Sequence, residues 1–312
     1  MPGLAAAGPV LLERWFAQQG SPPLLDLARS GAPPLSLRDL LRLAPDGSLD
    51  RLLDAPLDYG EGRGSAALRD AVAASGAARC GEEVLVTHGA VEALLLACAA
   101  LVGARRRVLV GVPAYEALRR TPAAVGADVV EVPVWRPGSA RLDLAQLHDM
   151  VDESVAAVLL NVPDNPTGAV AGTAALDALA LRCADRGTTL VVDEVALGTL
   201  DATVAHSCTL AGFAAGAVVS LGDASKACGL GGLRAGWLAS ASAQLLAAAA
   251  RVKDLTTVGN AAPSEIAAGW ALQRRETLVE PVRAAARNNL DALRAWIGQR
   301  PDASLVAPQD GL

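Results

Sequence analysis

Asp223-Ala-Ser-Lys226-Ala-Cys-Gly229-Leu-Gly231-Gly232-Leu-Arg234-Ala-Gly236-Trp237 stands directly after an apolar run at 217–221. The run reads as a strand, so Lys226 falls just past a strand's carboxyl end, where open α/β sheets place their ligands. Ser225 and Arg234 supply groups for an anion, Arg234 through paired N–H donors suited to phosphate oxygens. The glycines do not form a dinucleotide fingerprint, because counting from Gly229 and Gly231 the third glycine position is held by Arg234. Taken alone, the segment is equally a glycine-rich turn with a solvated lysine. Lys226 and Lys253 are the two lysines among 27 basic residues, so each is a candidate for a task that arginine cannot perform. A lysine amine can lose its proton and attack a carbonyl carbon, whereas a guanidinium stays charged.

Outward from this segment, apolar runs alternate with alanine-rich helical stretches from Asp58 onward. Strands are expected at 83–87, 107–111, 128–132, 156–160, 189–192, 217–221 and 235–239, and helices at 91–102, 114–125 and 176–186. Several strands are Val/Leu runs without polar alternation, as when helices cover both sheet faces. The pattern predicts an α/β fold with a mostly parallel sheet. Residues 11–43, interrupted by Pro22, Pro23, Pro33 and Pro34, read as an extended arm with a short helix outside the core. Residues 263–300 read as almost continuous helix with Pro281 as the break. A short apolar piece at 304–306 follows, and the chain stops in a Pro-Gln-Asp-Gly-Leu turn that reads as an interruption. The expected organisation is an arm and part of a small domain at 1–45, a large domain at 46–262, and connecting helices with the start of a C-terminal small domain at 263–312.

Composition narrows the function. The 312 residues are 52% hydrophobic and 19% charged, which excludes a disordered chain. A net charge of -6 gives no basic field for nucleic acid. Cys80, Cys98, Cys183, Cys208 and Cys228 are irregularly spaced and odd in number, and read as reduced thiols of a cytoplasmic protein. His88, His148 and His206 show no metal-binding spacing, so no metal is expected. The apolar run at 93–104 is too short to cross a bilayer, and residues 1–10 lack the basic start of a signal peptide, so no membrane partner is expected.

Two further motifs join the first. Asn161-Val-Pro-Asp-Asn165-Pro-Thr-Gly168 follows the expected strand at 156–160, and Val191-Val-Asp193-Glu194 closes the next. With them the chain resembles the fold type I pyridoxal phosphate enzymes, in particular the class I/II aminotransferases, whose NPxNPTG, (V/L)DE and SxSKxxGLxGLRxG motifs occur in this order at similar separations. The resemblance runs from about Tyr59 to Trp237 and continues, more faintly, to the C-terminus. It implies a fold type I large domain with pyridoxal 5′-phosphate held as a Schiff base on Lys226. The freed Lys226 amine then moves the α-proton of a small amino substrate. Asp193 matches the acid that keeps the pyridine nitrogen protonated, and the ring an electron sink. Asn165 matches the partner of the ring hydroxyl.

Thr87-His-Gly89-Ala90-Val91-Glu-Ala-Leu resembles the family's T-x-G-A-x-E-A-L segment, which implies a phosphate at a helix start on Gly89, Ala90 and Val91, with Ser225 and Arg234. Val91 stands where the family often has a hydroxyl, leaving more to the backbone. Pro113-Ala-Tyr115 resembles the segment whose ring stacks on the pyridine. Tyr59 resembles the tyrosine reaching the phosphate of a neighbouring subunit, which implies a homodimer with shared sites. Ser30-Gly31 resembles the loop that covers the substrate. For either tyrosine the plain alternative is core or interface packing.

Three positions depart from the family. Ala196 replaces a tyrosine that touches the ring hydroxyl. Asp223 replaces a serine; a carboxylate there repels a phosphate dianion, so Asp223 is expected to orient Ser225, a backbone N–H or Arg234. No position matches the C-terminal arginine that clamps the substrate carboxylate. The Gly-Asp-x-Ser-Lys variant, with the 35–40 region, resembles a subgroup that includes capreomycidine synthase-like enzymes of bacterial secondary metabolism. The expected activity is that of an aminotransferase. A carbon–sulfur β-lyase or amino acid cyclase is the enzymatic alternative, favoured by Ala196. A noncatalytic pyridoxal-binding module is the other; the absence of a basic helix-turn-helix segment argues against a DNA-binding regulator.

Overall fold

Seven strands form one sheet: β1 (Val84–Thr87), β2 (Arg107–Val112), β3 (Asp128–Pro133), β4 (Val155–Asn161), β5 (Thr189–Asp193), β6 (Val218–Asp223) and β7 (Gly236–Ala239). In this computed structural model, which describes residues 8–20, 26, 30–201, 203–306 and 308, the strand order is β1-β7-β6-β5-β4-β2-β3. Strands β2 to β6 run parallel, and β7 alone runs antiparallel to its neighbours β1 and β6. Every expected strand lies within two residues of an observed one. Pro22 and Pro23 of the expected arm, residues 1–7, and all but Pro308 of the expected final turn lie outside the described residues.

The helices α1 (Leu11–Gln18), α2 (Leu37–Leu43), α3 (Ser48–Leu53) and α4 (Ala66–Ala74) precede the sheet. Between and after the strands come α5 (Ala90–Leu101), α6 (Glu116–Ala124), α7 (Ala145–Met150), α8 (Thr173–Arg186), α9 (Ala211–Ala214) and α10 (Ala243–Lys253). The chain then runs through α11 (Ala262–Gln273) and α12 (Arg275–Ile297).

Strand periodicity explains the unbroken apolar runs. In β4, Val158 and Leu160 face a core layer closed by Leu176, Leu179 and Cys183 of α8. Ala157 and Leu159 face the opposite layer, closed by Leu94, Leu96 and Cys98 of α5. Alternate residues enter different layers, so both sets must be apolar. Each leucine buried this way contributes roughly 1.5–3 kcal/mol.

Two expectations are corrected. The C-terminal helical stretch breaks at Arg274, between α11 and α12, and Pro281 lies inside α12 without ending it. There the surrounding contacts hold the helix: Arg283, 4% exposed, donates to the Gly198 carbonyl and pairs with Glu276. The arm is not wholly outside the core, because Leu40 of α2 is 1% exposed and packs with Ala227, Cys228 and Leu230 beside Lys226.

Register fixes the site. Asn161 pairs with Asp193, and Asp193 with Leu221, two residues before Asp223. Gly236 pairs with both Asp223 and Thr87. The ends of β4, β5, β6 and β1 therefore share one rim, where the expected motifs also end.

Candidate active site

Lys226 emerges from the loop after β6, half-buried, with its Nζ donating to the Ser30 carbonyl at 2.9 Å and lying 3.3 Å from the Ser30 hydroxyl. The arm lies along this loop: Ala32 N–H donates to the Lys226 carbonyl and Leu35 N–H to the Gly229 carbonyl. Gly31 has φ +140°, and a Cβ there would stand 3.6 Å from Lys226 Cδ. The structure thus brings Gly31 to Lys226.

Asp193 is buried at the end of β5, its Oδ1 accepting from Val195 N–H at 3.1 Å. Burial pushes its carboxyl up to about 7; Asp223 and Glu194 add to the rise, while the Val195 N–H and Lys226 oppose it. Glu194 serves elsewhere, accepting from Ser207 N–H and the Ser220 hydroxyl. Asn161, quoted in the sequence motif but given no role there, braces the rim. Its Nδ2 donates to the Asp193 carbonyl at 3.0 Å and its Oδ1 accepts from Asn165 N–H at 3.1 Å. Asn165 itself is exposed on the adjoining turn.

Tyr115 is half-buried between β2 and α6 and donates its hydroxyl to Glu13 Oε1 at 2.8 Å. Burial raises its phenol, followed by the Glu13 hydrogen bond and charge and then the charge of Asp193. Glu13 belongs to α1, whose first N–H groups, on Leu11 and Leu12, are taken by Glu116 Oε2. No pattern in the sequence pairs Glu13 with Tyr115, which are 102 positions apart.

The expected anion site lies at the start of α5. Gly89 caps it at φ +81°, and a Cβ there would stand 2.3 Å from Arg234 Nη2, so only glycine lets the guanidinium lie against the helix start. Arg234 itself sits at φ +50°, a left-handed conformation that an arginine adopts only under local constraint. Its Nη1 and Nη2 donate to the Gly231 and His88 carbonyls. Asp223 accepts from Ser225 N–H at 2.8 Å through Oδ1 and from Ala90 N–H at 3.4 Å through Oδ2. The expected partners Ser225 and a backbone N–H are therefore met, while the described Arg234 bonds go to carbonyls. Ala90 is buried, and Val91 is 48% exposed in the first turn.

Tyr59 stands apart. It is 89% exposed, and within this chain it is not brought to Lys226. Its segment is stapled by Lys253, whose Nζ donates to the Gly62 carbonyl at 2.8 Å and to Asn260 Oδ1 at 2.9 Å. Leu57 and Leu255 are also exposed, at 90% and 87%. Among the described residues, no cluster of three or more His, Cys, Asp or Glu is placed to hold a metal, and no helix is long and apolar enough to cross a membrane.

Residues 54–312 match the family model for aminotransferase class I and II. The chain belongs to this family. As a class I and II aminotransferase family member it is an enzyme. It is 30% identical to capreomycidine synthase of Streptomyces vinaceus over 313 residues, covering 95% of this chain and 77% of the relative. The crystal structure of the PLP-dependent cyclase OrfR superposes with a TM-score of 0.86 at 31% identity, covering 98% of this chain and 79% of that one. The N-succinyldiaminopimelate aminotransferase of Mycobacterium tuberculosis superposes with a TM-score of 0.77 at 26% identity, covering 95% and 78%.

The rim fits the family's pyridoxal phosphate group on its own geometry. It offers a half-buried amine, a buried carboxyl able to hold or release a proton near neutrality, and a helix start at which Gly89 admits a guanidinium.

Proposed function

We propose that the enzyme binds pyridoxal 5′-phosphate at this rim and transaminates a small amino acid. The observation that carries the reading is the convergence of the Lys226 amine, the buried Asp193 carboxyl and the start of α5 with its neighbouring Arg234 from three separate strand ends. The cofactor supplies a reactive aldehyde carbon and a ring that accepts electrons.

Each residue then has a physical task. The N–H groups at Gly89, Ala90 and Val91, with the Ser225 hydroxyl and Arg234, hold the phosphate. The Tyr115 ring covers one face of the pyridine, and Asn165 meets its hydroxyl. Asp193 keeps a proton at the ring nitrogen, a role its burial suits because a cationic partner compensates the buried carboxylate. Lys226 Nζ takes the substrate α-proton and returns it, acting as general base and then acid. Ser30 and Gly31 border the substrate side beside the amine.

The reading extends to a two-fold homodimer in the cytoplasm. Its support is the exposed Leu57, Tyr59 and Leu255 surface, held rigid by Lys253, which suits a partner copy whose phosphate Tyr59 reaches. Free thiols at all five cysteines accord with a reducing compartment. In this organisation 46–262 forms the large domain, flanked by small-domain segments at 1–45 and 263–312.

Amino acid cyclisation is the second reading, favoured by the 30% identity to capreomycidine synthase across 95% of this chain. Purified protein loaded with pyridoxal phosphate and offered a panel of amino acids, arginine derivatives included, separates the two by mass spectrometry. A keto acid with stoichiometric amino transfer supports transamination. A cyclic amino acid supports the second reading, and no consumption of any amino donor overturns both.

A further inference from the structure

We infer that Asp223 is an internal competitor for the cofactor's phosphate, which sets weak, exchangeable retention of the phosphorylated cofactor. The inference rests on the cofactor reading above and concerns a residue that departs from the family pattern. The start of α5 and the lysine loop are the two segments that offer backbone N–H groups to an anion here. Asp223 already draws on both, through Ala90 N–H at 3.4 Å and Ser225 N–H at 2.8 Å.

A carboxylate at a helix N-terminus is stabilised by the dipole and the free N–H groups. The same features attract phosphate. An incoming dianion therefore loses part of this attraction and meets a negative charge at contact distance. Arg234 offsets only part of this, because its Nη1 and Nη2 also serve the Gly231 and His88 carbonyls. Close packing limits retreat of the helix start: a Cβ on Gly236 would stand 2.8 Å from Ala90 N and 2.5 Å from the Gly89 carbonyl carbon.

The test compares equilibrium binding of pyridoxal phosphate and of pyridoxal, which lacks the phosphate, by spectral titration. Wild type, Asp223→Asn and Asp223→Ser are measured, with thermal melting to establish folding. Both variants keep an acceptor for Ser225 N–H and remove the charge. The expected result is at least ~10-fold tighter binding of pyridoxal phosphate, slower cofactor loss on dialysis, and unchanged pyridoxal binding. Folded variants that gain no affinity for pyridoxal phosphate overturn the inference. So does an equal gain for both compounds, since a reshaped pocket would produce it without a charge effect. A wild-type protein that binds neither compound overturns the cofactor reading and this inference with it.

Discussion

Lys226 Nζ donates to the carbonyl of Ser30, 196 positions earlier in the chain, at 2.9 Å. The Lys226 amine thus rests on the N-terminal arm, and the arm in turn rests on the backbone of the lysine loop. A hydrogen bond from an ammonium to a neutral carbonyl has a modest net value, about 1.5–3 kcal/mol. The arm has two further bonds to the loop, from Ala32 N–H to the Lys226 carbonyl and from Leu35 N–H to the Gly229 carbonyl.

The first prediction concerns the Lys226 amine. Borohydride reduction of protein loaded with pyridoxal phosphate, followed by peptide mapping, is expected to place the pyridoxyl label on Lys226. Lys253, 1% exposed and engaged with Gly62 and Asn260, should stay unlabelled. A label confined to Lys253 contradicts the assignment.

Asp193 gives a pH prediction for the ligand-free protein. Its carboxyl titrates at about 7 in the folded chain against an ordinary value of 3.8. Below 3.8 both folded and unfolded chains hold the proton; between 3.8 and about 7 only the folded chain does, so the unfolded state binds fewer protons. Stability from this group is therefore complete at low pH and lost as pH rises through about 7, a change on the order of 4 kcal/mol. Chemical denaturation of wild type relative to Asp193→Asn should show this decline; parallel stability profiles would refute it.

Substitution of the same residue should also separate binding from turnover. Asp193→Ala is expected to retain pyridoxal phosphate yet lose at least ~100-fold in turnover, since a group that acts on proton transfer is worth roughly that much. Near-wild-type turnover with the preferred amino donor sinks the role given to Asp193.

Tyr115 and Tyr59 are the chain's two tyrosines, so in a Tyr59→Phe background ultraviolet titration follows Tyr115 alone. After burial, Glu13 is the chief cause of its raised phenol. Adding Glu13→Gln should move the alkaline transition downward. An unchanged midpoint means that α1 does not hold Tyr115 in solution.

The dimer prediction uses complementation. Tyr59→Phe and Lys226→Ala chains, each expected to be inactive, should regain roughly a quarter of wild-type activity when mixed in equal amounts and exchanged at random, since about half of the dimers are then mixed. One site of each mixed dimer then has both residues intact. Demonstrated exchange without recovery, or an active monomer, counts against a shared site.

Much of the fold was legible because each central strand is buried on both faces. The runs at 156–160 and 189–192 contain no alternation to blur their ends, and the structure extends them by a residue or so at most. The placement of Lys226 and Asp193 on one rim was legible because their motifs follow β5 and β6, which are neighbours in the sheet. The Glu13 to Tyr115 bond was not legible, since nothing local distinguishes Glu13 from other exposed helical acids. Asp223 was half legible: its charge predicted conflict with an anion, but its bond to Ala90, 133 positions away, depends on β7 drawing β1 beside β6. Pro281 misled because α12 runs through it, although the proline removes one helical hydrogen bond and crowds the preceding turn; Arg283, two residues on, is tied to Gly198 and Glu276.

Lys253 has a practical consequence. With its amine enclosed by Gly62 and Asn260, Lys226 is the one lysine side chain open to amine-selective reagents, the chain terminus aside. A crosslinker, fluorophore or immobilising ester therefore reports on the Lys226 amine itself, without the background of surface lysines that obscures such chemistry in most proteins. In cofactor-free protein, loss of that single signal on adding pyridoxal phosphate becomes a direct assay of site occupancy, usable before any product is known.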